Sequence, residues 1–487
     1  MPTTPRIAIV GAGPGGLLCA RVLQLRGLAV EVYDADASVD ARDPGGTLDL
    51  HADTGQIALE DAGLLAEFAA LARTEGQAKR TLDRHGKVLA AYVPDEDETA
   101  APEIDRGQLR ALLAAHVRPG TVRWGHKLVA ATALGAGTHR LEFANGAVVE
   151  SDLVIGADGA WSRVRPLLTD AVPRYTGVSF LDIRFDDVER RHPGIAELVG
   201  DGHMFANGGD GRAIIGQRNS NGVVRGYVGL RTGLDWYHAA GVDLGDTAAV
   251  RRFLLGEFAG WADTLLPFIA DSESFTNRAI QVLPAPLTWA HTPGATLLGD
   301  AAHVMSPFGG FGMNLALLDG AELAHALAEE PTVDAAVARY ETAMFARTGP
   351  LAVGANEALD RFFGAFDPAD IPDQKASAHQ YKQAAAVYRR RGTADGTWTL
   401  TFPTPAGERQ AELVLATTPT VSGTLDGTPI ENPALTAGTL TFTARITSPV
   451  RLKLTCTATL DGPTLTGTAK SRRLTFPFTG TRQAPTA

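Results

Sequence analysis

Two glycine-rich segments almost 300 residues apart hold the residues that could do chemistry. The first is GAGPGG, with Gly11, Gly13, Pro14, Gly15 and Gly16. It follows the apolar run RIAIV and opens a helical pattern, so its glycines give a tight turn and close backbone approach. The free N–H groups and positive dipole of the helix start suit a pyrophosphate. Asp34 ends the next apolar run, 23 positions after Gly11, where a carboxylate can accept from ribose hydroxyls. A glycine loop serving only as a tight turn is the bland alternative. The second segment runs from Gly299 to Asn314, GDAAHVMSPFGGFGMN. Asp300 follows a strand-ending glycine and is placed to accept from a ribityl hydroxyl. After Pro307, Gly309, Gly310 and Gly312 let the backbone approach a ligand before a helix starting near Asn314, with Met313 and Asn314 counted among the cofactor contacts. Those N–H groups suit a pyrophosphate, or the pyrimidine end of a flavin, where negative charge develops on reduction. Between the two lies GADGAWSRVR, where Asp158 either faces a ligand or caps a turn. One extended ligand gripped from both ends of the chain points to FAD.

The elements that must position these residues are legible in outline. Residues 6–10, 17–25 and 29–33 read as strand, helix and strand, with Gly27 as the C-cap, a doubly wound unit. Residues 108–116 read as a helix, and 140–143 and 148–155 as strands. Between 178 and 230 the alternating runs FLDIRF, RAIIGQ and VVRGYVGL indicate an antiparallel sheet. Helices return at 248–258, 316–328 and 333–347. After Arg391 threonine, glycine and proline dominate, and short alternating runs separated by turn residues indicate a small all-β sandwich or barrel. The fold expected is α/β: a doubly wound, Rossmann-like FAD-binding domain with an antiparallel-sheet substrate domain, plus the C-terminal β domain. The expected boundaries are 1–175 with 275–360 for FAD, 176–274 for substrate, 361–391 for a helix and linker, and 392–487 for the accessory domain.

At 487 residues and a formal net charge of −11, the chain disfavours nucleic acid and anionic membrane surfaces as general partners. Its two cysteines, Cys19 and Cys456, fall in different expected domains, so no disulfide framework is expected. There is no charged-then-apolar leader and no apolar run of about 20 residues, so a cytoplasmic location is expected. No nucleophile triad or metal cluster stands out, so no catalytic side chain is assigned.

The three motifs, in this order, resemble those of the class A (single-component) FAD-dependent aromatic hydroxylases. GGTLDLHADTGQ, from Gly45 to Gln56, and IDRGQLRALL narrow the likeness to the tetracycline-inactivating flavin monooxygenases. It covers about residues 5–365 and leaves the β domain out. The resemblance implies FAD contacts at Asp49, Arg106 and Asp300, and an NADPH contact at Arg42. It implies NADPH (or NADH) as co-substrate without a Rossmann domain of its own. It further implies O2 addition at flavin C4a and transfer of the terminal oxygen to a small aromatic or polyketide-like substrate, with tetracyclines as one case. The pattern departs from the family at Ser306, where a second proline is common, and at Phe311, where a polar residue is common. His303 is expected to be structural, because no partner acid is evident. Substrate candidates are Phe180, Arg184, Met204, Phe205, Gln217, Arg231 and Trp236 from the sheet, with Pro307, Phe308 and Gly309 from the cradle. Arg231 is the expected anchor for an acidic or enolic substrate, against an equally weighted exposed strand-end arginine. A flavin oxidase or dehydrogenase of this fold, and a non-catalytic FAD scaffold, are the alternatives.

Overall fold

In a computed structural model, the described residues are 5–41, 45–364, 366–389, 395–404, 407–416, 421–436, 439–446, 452–461, 464–471 and 474–483. The chain divides into two compact units, Met1–Lys382 and Gln383–Ala487.

The apolar runs that carry the motifs form a five-stranded parallel sheet. Its order is Ala295–Leu297, Leu153–Gly156, Ile7–Val10, Val30–Tyr33 and Val122–Arg123. The strands Ile7–Val10, Leu153–Gly156 and Ala295–Leu297 are buried throughout, as strands covered on both faces must be. The three motifs follow these three adjacent strands, so one sheet edge collects segments far apart in sequence. Ligands of such sheets bind outside the carboxyl ends of the strands. The expected strand 148–155 splits at Asp152. Val148–Ser151 joins a separate antiparallel sheet, and Leu153–Gly156 enters the parallel one. Arg6 fixes the break, its Nη2 donating to Asp152 Oδ1 at 2.7 Å.

The helix Pro14–Leu25 lies against the helix Phe311–Glu329 at a glycine contact. A Cβ at Gly15 would come within 2.7 Å of the Ala316 carbonyl oxygen, and one at Gly320 within 2.7 Å of the Gly15 carbonyl oxygen. Gly15 is thus held by packing between helices.

The substrate layer is a seven-stranded sheet in the order Thr276–Val282, Arg174–Phe185, Val223–Arg231, Arg212–Asn219, His203–Asn207, Lys79–Asp83 and Val88–Tyr92. Its last two strands come from the stretch that the sequence groups with FAD binding. One face packs on helices through Met204, Phe185, Phe258 and Phe268. The other presents Phe180, Phe205, Ile215 and Tyr227.

The C-terminal unit is a nine-stranded antiparallel sheet that curls into a nearly closed barrel. Its two edge strands, Thr428–Pro429 and Glu431–Thr436, are sequence neighbours. Trp398, Leu400, Leu413, Phe442 and Phe478 fill its interior. Threonines alternate with them, and Thr441, Thr457 and Thr468 align across three strands, as β-branched polar residues suit a solvated face. All four sheets of the first unit lie before residue 383, so a chain ending after Arg391 is expected to fold and to bind FAD. A folded but colourless truncation, judged by melting and flavin absorbance, would refute this.

Candidate cofactor and substrate site

The glycine loop is built so that only one of its glycines looks outward. Gly11 has φ +112°, and its N–H donates to Tyr33 O at 2.7 Å. A Cβ there would run into the Ala157 carbonyl, and one at Gly16 into the Gly11 carbonyl. A Cβ at Gly13 would meet nothing within 4 Å, so open space lies on its side, beside Pro14 in the helix's first turn. Asp34 is buried. Its Oδ2 accepts from Ala12 N at 2.6 Å and its Oδ1 from Asp36 N at 2.8 Å.

Arg110, which the motif reading passed over, holds this corner together. It donates to Ala12 O at 3.0 Å and Val39 O at 3.2 Å. It pairs with Asp36 at 2.9 Å and lies 3.6 Å from Asp34. Its Nη2 is buried without a hydrogen-bond partner. The available signal was its place one turn after Arg106 in DRGQLR. Arg110→Ala is expected to weaken FAD binding about tenfold to a hundredfold, read as a flavin dissociation constant.

Asp158 turns Oδ2 onto the N–H of Arg163 at 2.7 Å, while its Oδ1 is buried and unpaired. Burial pushes its carboxyl above the ordinary range, against the hydrogen bonds it accepts. Arg165 ties this motif to the late one, donating to Ala301 O at 2.7 Å and Ala160 O at 2.6 Å. Asp300 is exposed at the start of the short helix Asp300–His303. Beneath it the fully buried Asp319 accepts from Gly299 N at 3.0 Å and His303 Nε2 at 2.7 Å, and from Arg347 at 2.8 Å. His303 therefore does have an acid partner, one sixteen positions away on the next helix, which the sequence reading did not find.

In the cradle Gly309 and Gly310 have φ +97° and +68°. A Cβ at Gly310 would lie 2.5 Å from Asp49 Oδ1, and one at Gly312 3.8 Å from Asp300 Oδ1. Pro307 is exposed, and Met313 is half-buried. The Asn314 side chain stitches the cradle to the strand Thr47–Asp49 and the loop after it. Its Oδ1 accepts from His51 N (2.8 Å) and Gly55 N (3.3 Å); its Nδ2 donates to Asp49 O (2.8 Å) and Gly310 O (2.9 Å). All four valences are used, which leaves only its backbone for a ligand. Phe311 packs edge-on against His51, with centroids 5.9 Å apart. The Arg106 N–H donates to Gly46 O at 3.1 Å, and a Cβ at Gly45 would lie 3.7 Å from its Nε. Arg42 lies outside the described residues.

Charge is concentrated behind Asp49. Burial pushes its carboxyl up, but His51, Lys79 and His203 hold it well below the usual range. Burial and the Asp49 charge push the Glu103 carboxyl well above the ordinary range. Burial, with Lys79 beside it, lowers His203 to about 3.

The substrate candidates divide by strand parity. Phe180, Phe205 and Phe308 share one apolar cluster on the open face, and Gln217 stands in register with His203 on the same side. Gly309 packs on the Phe311 ring. Met204 is a correction: it is fully buried on the helical face, because neighbours along a strand point opposite ways. Trp236 is another, stacked on Phe253 at 5.1 Å inside that same core. Arg231 is the third: it is bound to Asp360 at 2.9 Å and to Phe363 O at 3.2 Å. Arg184 pairs with Asp186 at 2.8 Å. Tyr227, Phe362 and Phe363 join the open face and were not foreseen.

The arrangement fits FAD. It offers a glycine turn with one open side, a buried acid and an orphaned guanidinium N–H beside it, and an exposed Asp300 near a cradle that admits no side chain at Gly309 or Gly310. The model of an FAD binding domain matches residues 4–226 and 290–349. The chain belongs to that family. Monooxygenase penA of Penicillium thymicola is 31% identical over 369 residues, covering 66% of this chain and 84% of that protein. In fold the chain is similar to Klebsiella pneumoniae HpxO complexed with FAD and uric acid (TM-score 0.63, 21% identity, 78% of this chain and 93% of that one). It is likewise similar to tetracycline destructase Tet(55) (TM-score 0.59, 21% identity, 81% and 98%). The class A resemblance is borne out: the chain is an FAD-dependent monooxygenase. Among the described residues no helix is long and apolar enough to cross a membrane, and no cluster of His, Cys, Asp or Glu could hold a metal.

Proposed function

We propose that this monooxygenase hydroxylates a polycyclic aromatic or polyketide-like molecule in the cytoplasm, with NADPH or NADH as reductant. The overall balance is substrate C–H, O2, NAD(P)H and a proton giving C–OH, water and NAD(P)+. The bound FAD supplies the redox and oxygen-transfer chemistry. The observation that carries this reading is the aromatic-walled open face of the seven-stranded sheet, reached by Phe308 of the cradle.

In this reading Gly13 and Pro14 present backbone to the pyrophosphate, and Asp34, aligned by Arg110, accepts from the ribose. Asp300 accepts from the ribityl chain. The N–H groups at Gly312 and Met313 face the pyrimidine end, with Asp49 and Arg106 beside it. Arg42 meets the nicotinamide cofactor. Phe205 and Phe308 exclude water from the reacting ring. No side chain is assigned as acid or base.

The test follows NAD(P)H and O2 consumption with a panel of tetracyclines and aromatic polyketides, and the product masses. Substrate-accelerated, O2-dependent oxidation with a gain of about 16 Da, the mass of one oxygen atom, is expected. Oxidation of substrate without oxygen incorporation would favour an oxidase or dehydrogenase.

A further inference from the structure

Ser306 stands where the family pattern commonly has a second proline, and two hydrogen bonds take the place of the ring. Ser306 is buried. Its N–H donates to Asn356 Oδ1 at 3.0 Å and its hydroxyl to Ala355 O at 2.5 Å. Both partners lie on the helix Val333–Phe362. A proline could make neither bond, since it has no N–H and no hydroxyl. A proline also fixes its own φ, which serine does not. The backbone that leads into Pro307 is therefore held from outside, and its buried N–H depends on Asn356 for a partner.

The same helix takes the apolar side chains of the cradle. Met305 and Leu315 pack with Ala352 and Ala355, and Phe311 lies against that group. Phe308 meets Phe362, with ring centroids 4.8 Å apart. Positions 352, 355, 356 and 362 recur at helical spacing and share one face. The segment from Met305 to Phe311 is thus laid along roughly the last three turns of one helix.

That helix is fixed at both ends. Tyr340 donates its hydroxyl to Leu297 O at 2.8 Å, and Thr296 donates to Glu341 at 2.8 Å, which ties its first half to the parallel sheet. Asn207 Nδ2 donates to Phe362 O at 2.5 Å, and Arg231 donates to Asp360 Oδ1 at 2.9 Å and to Phe363 O at 3.2 Å. Its last turn is thereby held by the seven-stranded sheet. A helix held in this way is a rigid support for the cradle.

Resting on the site reading above, we propose that Ser306, with Asn356, is a positioning residue. Its two bonds set the cradle, and with it Phe308, against the flavin ring, the task that a proline ring would otherwise share. Neither residue touches the ligand in this role; both act through the backbone at Pro307 and Phe308.

The FAD-loaded full chain is compared with Ser306→Ala, Asn356→Leu, Ser306→Pro and the double variant Ser306→Pro/Asn356→Leu. The readouts are the flavin dissociation constant and the fine structure of the long-wavelength flavin band, which blurs as water reaches the ring. Asn356→Leu orphans a buried N–H and is expected to weaken FAD binding about tenfold and to blur the band. Ser306→Ala loses one bond and is expected to fall between it and the wild type. In the double variant the loss is expected to be at least about threefold smaller than the product of the single losses, because proline needs no acceptor. A local packing role for Asn356 predicts losses that simply multiply, and that result overturns the proposal. Wild-type affinity and band shape in both Asn356→Leu and Ser306→Ala overturn it as well. Where Ser306→Pro does not fold, those two variants decide through the same readouts. A set of variants that behaves as expected, in a protein whose NAD(P)H oxidation no aromatic accelerates, would defeat the proposed hydroxylation alone.

Discussion

Gly11→Ala is expected to give a protein that is destabilised by about 3 kcal/mol or more and carries no flavin. The backbone at Gly11 has φ +112°, a region that L-residues rarely adopt, and an added methyl would enter the Ala157 carbonyl. Two motifs therefore break at once. The turn that opens Gly13 to the ligand would shift, and so would the contact between the strand ends at Gly11 and Ala157. Thermal melting and the flavin absorbance of purified protein read this out. A variant with wild-type melting and full flavin content would show that the loop tolerates relaxation.

The second large effect is expected at Asp319, which contacts no ligand in the proposed site. It accepts from Gly299 N, His303 and Arg347, and its side chain is wholly buried. Asp319→Ala leaves a half-buried guanidinium with only Glu322 as partner and a buried, unpaired imidazole, at a cost of about 3 kcal/mol. Because Asp319 sets Gly299, Asp300 should lose its position too, so flavin affinity falls with stability. Asp319→Asn keeps an acceptor and should lose less of both. Urea denaturation with and without added FAD separates the two effects. The same carboxylate gives a pH dependence. Burial pushes its pKa up, but His303 and Arg347 outweigh burial and hold the folded value below the ordinary one. Stability from this group is therefore present above the unfolded pKa of about 3.9 and is lost as pH falls through the lower folded value. Acid unfolding of Asp319→Asn should be shallower below about pH 4 than that of the wild type; an unchanged slope would rule out Asp319 as its source.

The motifs were legible because local rules write them. A strand, a glycine turn and a helix start are contiguous in sequence, so GAGPGG, GADGAWSR and GDAAH each announce themselves. The C-terminal β unit was legible for the same reason, through its period of two, although closure into a barrel was not. Arg110 escaped because its partners, Ala12, Asp34 and Val39, lie in other segments. His303 was read as lacking an acid because Asp319 meets it only through helix packing. Met204 and Trp236 were misplaced because an alternating run does not say which face meets helices. The strands Lys79–Asp83 and Val88–Tyr92 joined the substrate sheet through pairing with His203–Asn207, a contact over a hundred positions away.

The sequence by itself determined the class of cofactor, the parallel unit that grips it and the all-β tail, since each rests on neighbours within a turn or two. Only the tertiary structure decided how the binding pocket is charged. Arg231 reads as an anchor until Asp360 is seen to hold it. Whether a side chain is satisfied or available depends on partners that folding supplies from distant segments, and a linear pattern does not record that pairing.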